Sequence, residues 1–155
     1  MSFYNYSKAM ELAKEADDYF TEGGVSEEAI AKSQELLDIH FSKQCFDFYK
    51  NYGYTQFYGY EFFGTDPDDT SGILEWNAVL YALDERNRYG LPKKWIPLLN
   101  YEDGTLAYFD YSCLNDEGEP RIILAGDNEN GYHVLDVLAD DFGSFLLDLI
   151  TNVPE

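Results

Sequence analysis

One short acidic segment has side chains that could bind a metal ion. Four of its residues carry side-chain oxygens at close spacing, as the ligands of a calcium loop do: Asp66, Asp68, Asp69 and Thr70. An EF-hand loop also needs glycine at its sixth position, and counting from Asp66 that position is Ser71. A proline between the first two aspartates is a further departure. We therefore interpret the segment as a solvated loop or an interface patch, and the sequence predicts no metal and no cofactor.

Residues for acid–base or nucleophilic catalysis form no recognisable pattern. His40 and His133 lie far apart in the sequence, so a zinc or acid–base role would require them to meet other groups in the fold. We expect each histidine to be packed and hydrogen-bonded instead. The sequence contains neither a nucleophile elbow nor a glycine-rich phosphate loop. The chain is therefore predicted not to be an enzyme, with a hydrolase that uses a carboxylate pair as an alternative.

Acidic charge is the dominant feature of the composition. Thirty acidic residues face ten basic ones, which gives a formal net charge of -20. From residue 95 to 155 the only basic residue is Arg121. Binding to nucleic acid or to an anionic membrane through a basic surface is therefore excluded. A folded chain with this charge is suited to high solubility, to a salty environment or to a cationic partner.

The sequence shows no secretory signal pattern, and this observation and the spacing of the two cysteines favour the cytoplasm. The first residues show no basic segment followed by an apolar run, and no stretch approaches the roughly 18 apolar residues of a membrane helix. Cys45 and Cys113 have no metal or redox spacing. We expect both to be reduced thiols in a cytoplasmic protein.

The first half of the chain has helical periodicity. Its apolar spacing predicts a first helix that reaches Phe20. Ser26 and Ser42 are expected to cap a second and a third helix, and Gly53 is expected to stop the third. A fourth helix is predicted to start directly after the acidic segment and to end at Gly90.

An aromatic run over residues 57–63 predicts a strand with a bulge at Gly59. Half of its side chains should face the core, because a strand alternates its faces. An exposed Tyr58 or Tyr60 beside the acidic segment would make a protein-binding patch. Aromatic and acidic side chains together also suit sugar stacking, so a carbohydrate-binding module is an open alternative.

The second half of the chain changes to strand-like periodicity. Four runs, 95–101, 105–112, 120–125 and 132–138, are separated by hairpin turn sequences, and a last amphipathic helix is expected to be capped by Asp140. Strands joined by short turns pair antiparallel. The predicted fold class is therefore α+β, a mainly antiparallel sheet with helices packed against it. We expect one domain over residues 1–155, with an N-terminal helix over 1–24 and a core over 25–155.

Such a meander would gather acidic residues at the ends of the sheet. Alternate turns lie at the same end, so two acidic turns should lie roughly 10 Å apart, at two strand spacings. They contain Glu102, Asp103, Asp127 and Glu129. The acidic turn at 116–119 should lie at the opposite end, with residues 140 and 141.

Four stretches, taken in order, resemble the SUKH superfamily, which includes the yeast cell-wall-assembly regulator and many bacterial immunity proteins. They are 46–53 (FDFYKNYG), 88–98 with RYGLP and WIPL, 103–110 (DGTLAYFD) and 139–146 (ADDFGSFL). Residues 41–42 are Phe-Ser where the family often has Leu-Pro, and 51–53 are Asn-Tyr-Gly where it has Asn-Gly-Gly. The resemblance implies an α+β fold and, for bacterial members, non-enzymatic neutralisation of a toxin, often a nuclease.

Charge and resemblance together predict a cytoplasmic immunity protein that occludes a toxin domain, in particular a basic nuclease. An acidic protein can imitate the field of the phosphates that a nuclease binds. The predicted partner is this cognate toxin, without direct contact to nucleic acid or membrane. The predicted contacts are Asp66, Asp68, Asp69, Glu102, Asp103, Asp127 and Glu129, with Tyr58 or Tyr60 as anchors. An intracellular scaffold or regulatory module is the alternative.

Overall fold

A seven-stranded antiparallel sheet with helices packed against it is the framework of the protein. The computed structural model describes residues 2–128 and 131–152. Within these residues the elements are, in chain order, α1 (Ser2–Ala13), β1 (Phe20–Thr21), α2 (Glu27–Leu37), α3 (Lys43–Asn51), β2 (Thr55–Phe57), β3 (Tyr60–Phe62), α4 (Ala78–Tyr89), β4 (Trp95–Asn100), β5 (Thr105–Leu114), β6 (Pro120–Asn128), β7 (Gly131–Ala139) and α5 (Phe142–Thr151). The strands lie in the sheet in sequence order, and each neighbouring pair is antiparallel. The predicted α+β class is confirmed.

The predicted capping residues of the central helices are confirmed. Ser26 accepts a backbone N–H of the first turn of α2 at 3.1 Å, and Ser42 accepts one of α3 at 3.3 Å. Gly53 follows α3 with a φ of 65°, and Gly90 ends α4 with a φ of 72°. Both glycines adopt the left-handed conformation that residues with a side chain avoid.

The predicted end of α1 is wrong. The helix ends at Ala13, and Phe20 lies in β1 with 51% of its surface exposed. The intervening segment is held by Asp18, whose carboxylate accepts the backbone N–H groups of Tyr58 at 2.6 Å and Gly59 at 2.8 Å. This contact between distant segments outweighs the helical spacing of the sequence.

Two predicted helix starts are also wrong. Helix α4 begins only at Ala78, because Trp76 has a φ of 66° and its carbonyl accepts the N–H of Gly64. The carbonyl of Gly64 in turn accepts the N–H of Ala78 at 2.8 Å. Helix α5 is capped by Asp141, which accepts a first-turn N–H at 2.8 Å, and not by Asp140.

The aromatic run over residues 57–63 forms a hairpin instead of the predicted single strand. Tyr58 and Gly59 connect β2 to β3 with φ values of 51° and 80°. Positive φ at both central residues characterises a type I′ turn, whose twist matches that of the flanking strands. Tyrosine at the first of these positions gives no turn signal in the sequence.

Both histidines are exposed, so the prediction that they are packed is wrong. His40 lies in the connection between α2 and α3, and His133 lies on the edge strand β7.

Cys45 is buried and Cys113 is exposed, and neither is in a disulfide, as predicted. Among the described residues, no helix is long and apolar enough to cross a lipid bilayer.

The hydrophobic core has an aromatic centre at Phe142 of α5, which is fully buried. Its ring lies edge-on to Phe48 of α3 and Phe109 of β5, with centroid separations of 5.2 and 5.1 Å. Tyr6 of α1 is 5.7 Å away. Edge-to-face packing is a favoured arrangement of aromatic rings. One side chain therefore joins α1, α3, α5 and the sheet.

A buried polar network joins the N-termini of α3 and α5. The backbone N–H of Gln44 donates to Oε2 of Glu119, in the β5–β6 connection, at 3.3 Å. The side chain of Gln44 donates to Oδ2 of Asp141 at 3.4 Å and accepts the N–H of Gly143 at 2.8 Å. These three side chains are at most 3% exposed. The network satisfies N–H groups that a helix start otherwise leaves without partners.

Replacing Phe142 by alanine should destabilise the fold by about 3–5 kcal/mol, because the substitution leaves a cavity where four elements meet. The matched control is Phe20→Ala, at a half-exposed ring, which should cost less than about 1 kcal/mol. Urea unfolding followed by circular dichroism measures both. Similar losses for the two variants would contradict the assignment of Phe142 as the centre of the core.

Glu119→Gln should change how stability depends on pH. Burial raises the pKa of the Glu119 carboxyl above its ordinary value of 4.5. As the pH rises from 4.5 through the folded-state pKa, the unfolded chain loses this proton first, so the wild type loses stability relative to Glu119→Gln. Unfolding free energies measured in urea across this window test the sign. The prediction would be contradicted if the stability of the wild type relative to Glu119→Gln stayed constant or increased as the pH rises.

Candidate functional site

Two of the predicted acidic turns meet at one end of the sheet, as the meander requires. Glu102, in the β4–β5 connection, and Asp127, near the end of β6, line the same cleft. Asp103 lies on the same turn as Glu102, where its Oδ1 accepts the N–H and the hydroxyl of Thr105 at 3.0 and 2.6 Å. These hydrogen bonds lower the pKa of Asp103. Glu129 lies outside the described residues.

The acidic turn at 116–119 lies at the opposite end of the sheet, also as predicted. Asp116 and Glu117 line a shallow depression together with Asp140. Asn115 donates to Oδ2 of Asp140 at 3.3 Å, which ties this turn to the start of α5. The protein therefore presents acidic surfaces at both ends of its sheet.

The cleft at the first end is the most distinctive site of the described residues, and we call it the tyrosine cleft. It has a volume of about 520 Å³. Its main lining side chains come from α4, from four strands of the sheet and from the β4–β5 connection: Tyr81, Glu85, Asn100, Glu102, Leu106, Tyr108, Asp127 and Tyr132. Helix α4 packs on β4, and this packing places its Tyr81 and Glu85 opposite the acidic turns.

The tyrosines of the cleft are held in fixed positions and stay uncharged. The hydroxyl of Tyr132 donates to Oε1 of Glu85, and the ring of Tyr132 lies edge-on to Trp95 at 6.1 Å. Burial, helped by the charge of Glu85, raises the pKa of Tyr81 to about 12. Burial also raises the pKa values of Tyr108 and Tyr132. The cleft therefore offers neutral hydroxyl groups next to carboxylates.

Carboxylates dominate the electrostatics of the tyrosine cleft. Three of its lining residues are acidic and, within the described part of the chain, none is basic. Arg121 is the one basic residue after position 94, and its Nε donates to Oδ2 of the buried Asp110 at 2.8 Å. That pairing leaves the acidic end of the sheet without an internal counterion from the second half of the chain.

A second cleft, which we call the loop cleft, contains part of the predicted acidic segment. It has a volume of about 310 Å³, and Asp66, Asp69, Tyr54 and Trp76 are among its lining residues. The rings of Tyr54 and Trp76 are tilted by 56°, so they form no flat platform for a sugar. Glycine is required beneath them, because a Cβ at Gly64 would lie 2.5 Å from the backbone nitrogen of Tyr54.

Internal hydrogen bonds occupy the aspartates of this segment. Asp66 accepts the N–H of Asp68 at 3.1 Å, and Asp69 accepts the N–H and the hydroxyl of Ser71 at 3.0 and 2.9 Å. Asp68 forms an ion pair with Lys32 of α2 and does not line the loop cleft. Across the described residues, no three His, Cys, Asp or Glu side chains are grouped as a metal site requires.

The two predicted anchor tyrosines are separate from both clefts. Tyr58 lies on the β2–β3 turn and is 36% exposed. Tyr60 is half-buried and lines a small depression beside α5 with Tyr101 and Leu138. The aromatic side chains next to the acidic segment are Tyr54 and Trp76 instead.

The side chains that complete the tyrosine cleft were not predicted from the sequence. Tyr81 and Glu85 are spaced i, i+4 on α4, which places them on one helix face. Tyr132 is directly opposite Asp127 across the β6–β7 pair. The i, i+4 spacing on α4 could have indicated one half of the site, and the register of the β6–β7 hairpin could have indicated the other half. Their meeting depends on the packing of α4 on the sheet, which no local pattern reveals.

The tyrosine cleft combines groups whose chemistry favours a cation. Carboxylates attract and orient a positive group, and tyrosine rings add favourable contact with its flat or apolar surfaces. Among the described residues no three His, Cys, Asp or Glu side chains are grouped as a metal site requires. The arrangement is suited to binding.

A protein-family model matches most of the chain. The model of the SMI1 / KNR4 family (SUKH-1) matches residues 24–148. A comparison with curated proteins found no match. The matched range contains the whole tyrosine cleft, most of the loop cleft and the buried network at the starts of α3 and α5.

Proposed function

The chain belongs to the SMI1 / KNR4 family (SUKH-1), and we propose that it is a non-enzymatic immunity protein that neutralises a cationic toxin domain, in particular a nuclease. Family membership is the observation that carries the proposal, because the superfamily includes many bacterial immunity proteins. The uncompensated acidic surfaces support a cationic partner.

Occlusion is the mechanism that this surface supports. A nuclease presents lysine and arginine side chains to the phosphates of its substrate. The end of the sheet with Glu102, Asp103 and Asp127 offers several carboxylates, together with aromatic contact area from the tyrosine cleft. Binding there would place acidic groups where phosphates otherwise bind. Long-range attraction between opposite charges would accelerate the encounter.

The direct test is complex formation with an inactivated toxin domain encoded next to the gene for this chain. We expect a stoichiometric complex that blocks nuclease activity of the active domain. Its association rate should fall at least tenfold between about 50 and 500 mM salt, because salt screens the attraction. Absence of inhibition would overturn the immunity role. Inhibition with a salt-independent association rate would overturn its electrostatic part.

A matched pair of variants tests the contact surface. Glu102→Gln with Asp127→Asn and Asp116→Asn with Glu117→Gln remove the same charge from opposite ends of the sheet. Both should slow association slightly, because both reduce the overall field. Only the first pair should accelerate dissociation, because only it removes direct contacts. Faster dissociation with the second pair alone would place the contact at the other end, whereas a regulatory scaffold would bind no toxin at all.

A further inference from the structure

The hydroxyl of Tyr108 is the unusual group of the tyrosine cleft. Tyr108 lies in the middle of the sheet and is only 1% exposed. No hydrogen bond of the described residues ends on its hydroxyl, and the negative charges of Glu85 and Asp127 are close enough to help raise its pKa. The hydroxyl does not belong to the buried polar atoms that lack a partner in the described residues, so it is reachable from the cleft that Tyr108 lines. It is directed into an open cleft where a ligand can supply the partner.

The groups around this hydroxyl define what that ligand must be. Glu85 uses Oε1 for Tyr132, which leaves Oε2 for another donor. Asp127 and Glu102 add two carboxylates, which accept hydrogen bonds and do not donate them. A ligand for this cleft therefore carries several donors and positive charge.

Guanidinium meets these requirements better than ammonium does. It is planar, carries five N–H donors in a rigid arrangement and is more weakly hydrated than the lysine ammonium. It can pair with two oxygens of a carboxylate and at the same time stack on an aromatic ring. Tyr81 and Tyr132 supply rings beside the carboxylates.

We propose that the tyrosine cleft is the receptor for one arginine side chain of the protein partner, with Tyr108, Glu85 and Asp127 as its recognition groups. The proposal rests on the proposed function in one respect, since it takes the bound cation to belong to a protein. The guanidinium donates to Asp127 and to the free oxygen of Glu85, and Tyr108 accepts a third N–H.

Recognition of arginine can be measured without the toxin. Titration of the isotopically labelled protein with N-acetylarginine amide, followed by NMR, should give saturable shifts at Tyr81, Tyr108 and Tyr132. N-acetyllysine amide should bind at least several-fold more weakly, and the uncharged N-acetylcitrulline amide should not saturate. No shifts at these tyrosines with the arginine probe, or equal affinity for the lysine probe, would overturn the assignment.

Tyr108→Phe is the sharpest variant, because it removes only the unpaired hydroxyl and keeps the buried ring. Loss of a hydrogen bond to a charged group should weaken the arginine probe roughly tenfold. Tyr101→Phe is the matched control, since Tyr101 is half-buried outside the cleft. It should leave affinity unchanged. Unchanged affinity in Tyr108→Phe, with the fold shown intact by its NMR spectrum, would contradict the role of the hydroxyl.

The immunity proposal and the arginine-receptor proposal can fail independently of each other, because toxin inhibition tests the first and the arginine probe tests the second. If the arginine probe binds but no toxin is inhibited, the cleft is an arginine receptor of a protein with another role. If the toxin is inhibited but the probe does not bind, the immunity role stands and the arginine receptor is wrong. A toxin complex that dissociates faster in Tyr108→Phe and not in Tyr101→Phe would connect the two.

Discussion

The mutual capping of α3 and α5 is the constraint on which the arrangement of the helices depends. The N-terminus of each helix leaves backbone N–H groups without intrahelical partners. Here Ser42 and Glu119 serve α3, and Asp141 and the side chain of Gln44 serve α5. Because Gln44 bonds in both directions, neither helix can shift without leaving a buried polar group unpaired. Such a loss costs about 1–3 kcal/mol for each group.

The aromatic core is consistent with this constraint. Fixing the first turns of α3 and α5 sets the distance between Phe48 and Phe142, whose rings meet edge-on at 5.2 Å. Glu119 belongs to the β5–β6 connection, so the same network ties the long strands to the helices. The polar network therefore determines orientation, while the rings supply most of the buried apolar area. Hydrophobic attraction by itself is not directional and would not select this orientation.

Local patterns in the sequence predicted most of the helices and strands and the grouping of acidic turns at the ends of the sheet. The caps at Ser26 and Ser42, the stop at Gly90 and the hairpin turns of the second half all follow from short-range chemistry. The same turns predicted that Glu102 and Asp127 lie together, which requires only an up-and-down order of strands.

Several features that the sequence did not predict depend on contacts between distant segments. The end of α1 depends on Asp18 binding the β2–β3 turn, and the late start of α4 depends on Gly64 binding on both sides of Asn77. The tyrosine cleft requires α4 to meet β5 and β7. Periodicity reports which face of an element is apolar, but it does not report which other element that face will meet.

The large negative charge has two physical consequences in this fold. Strand β7 is an edge strand with exposed Val134, Leu135 and Val137, and such an edge is a template for pairing with another chain. Two copies that each carry a net charge of -20 repel one another, which opposes pairing between identical chains. The same field attracts a cationic protein, and it is strongest where carboxylates lie in a cleft without basic neighbours. One distribution of charge therefore opposes self-association and favours a basic partner, and salt weakens both effects together.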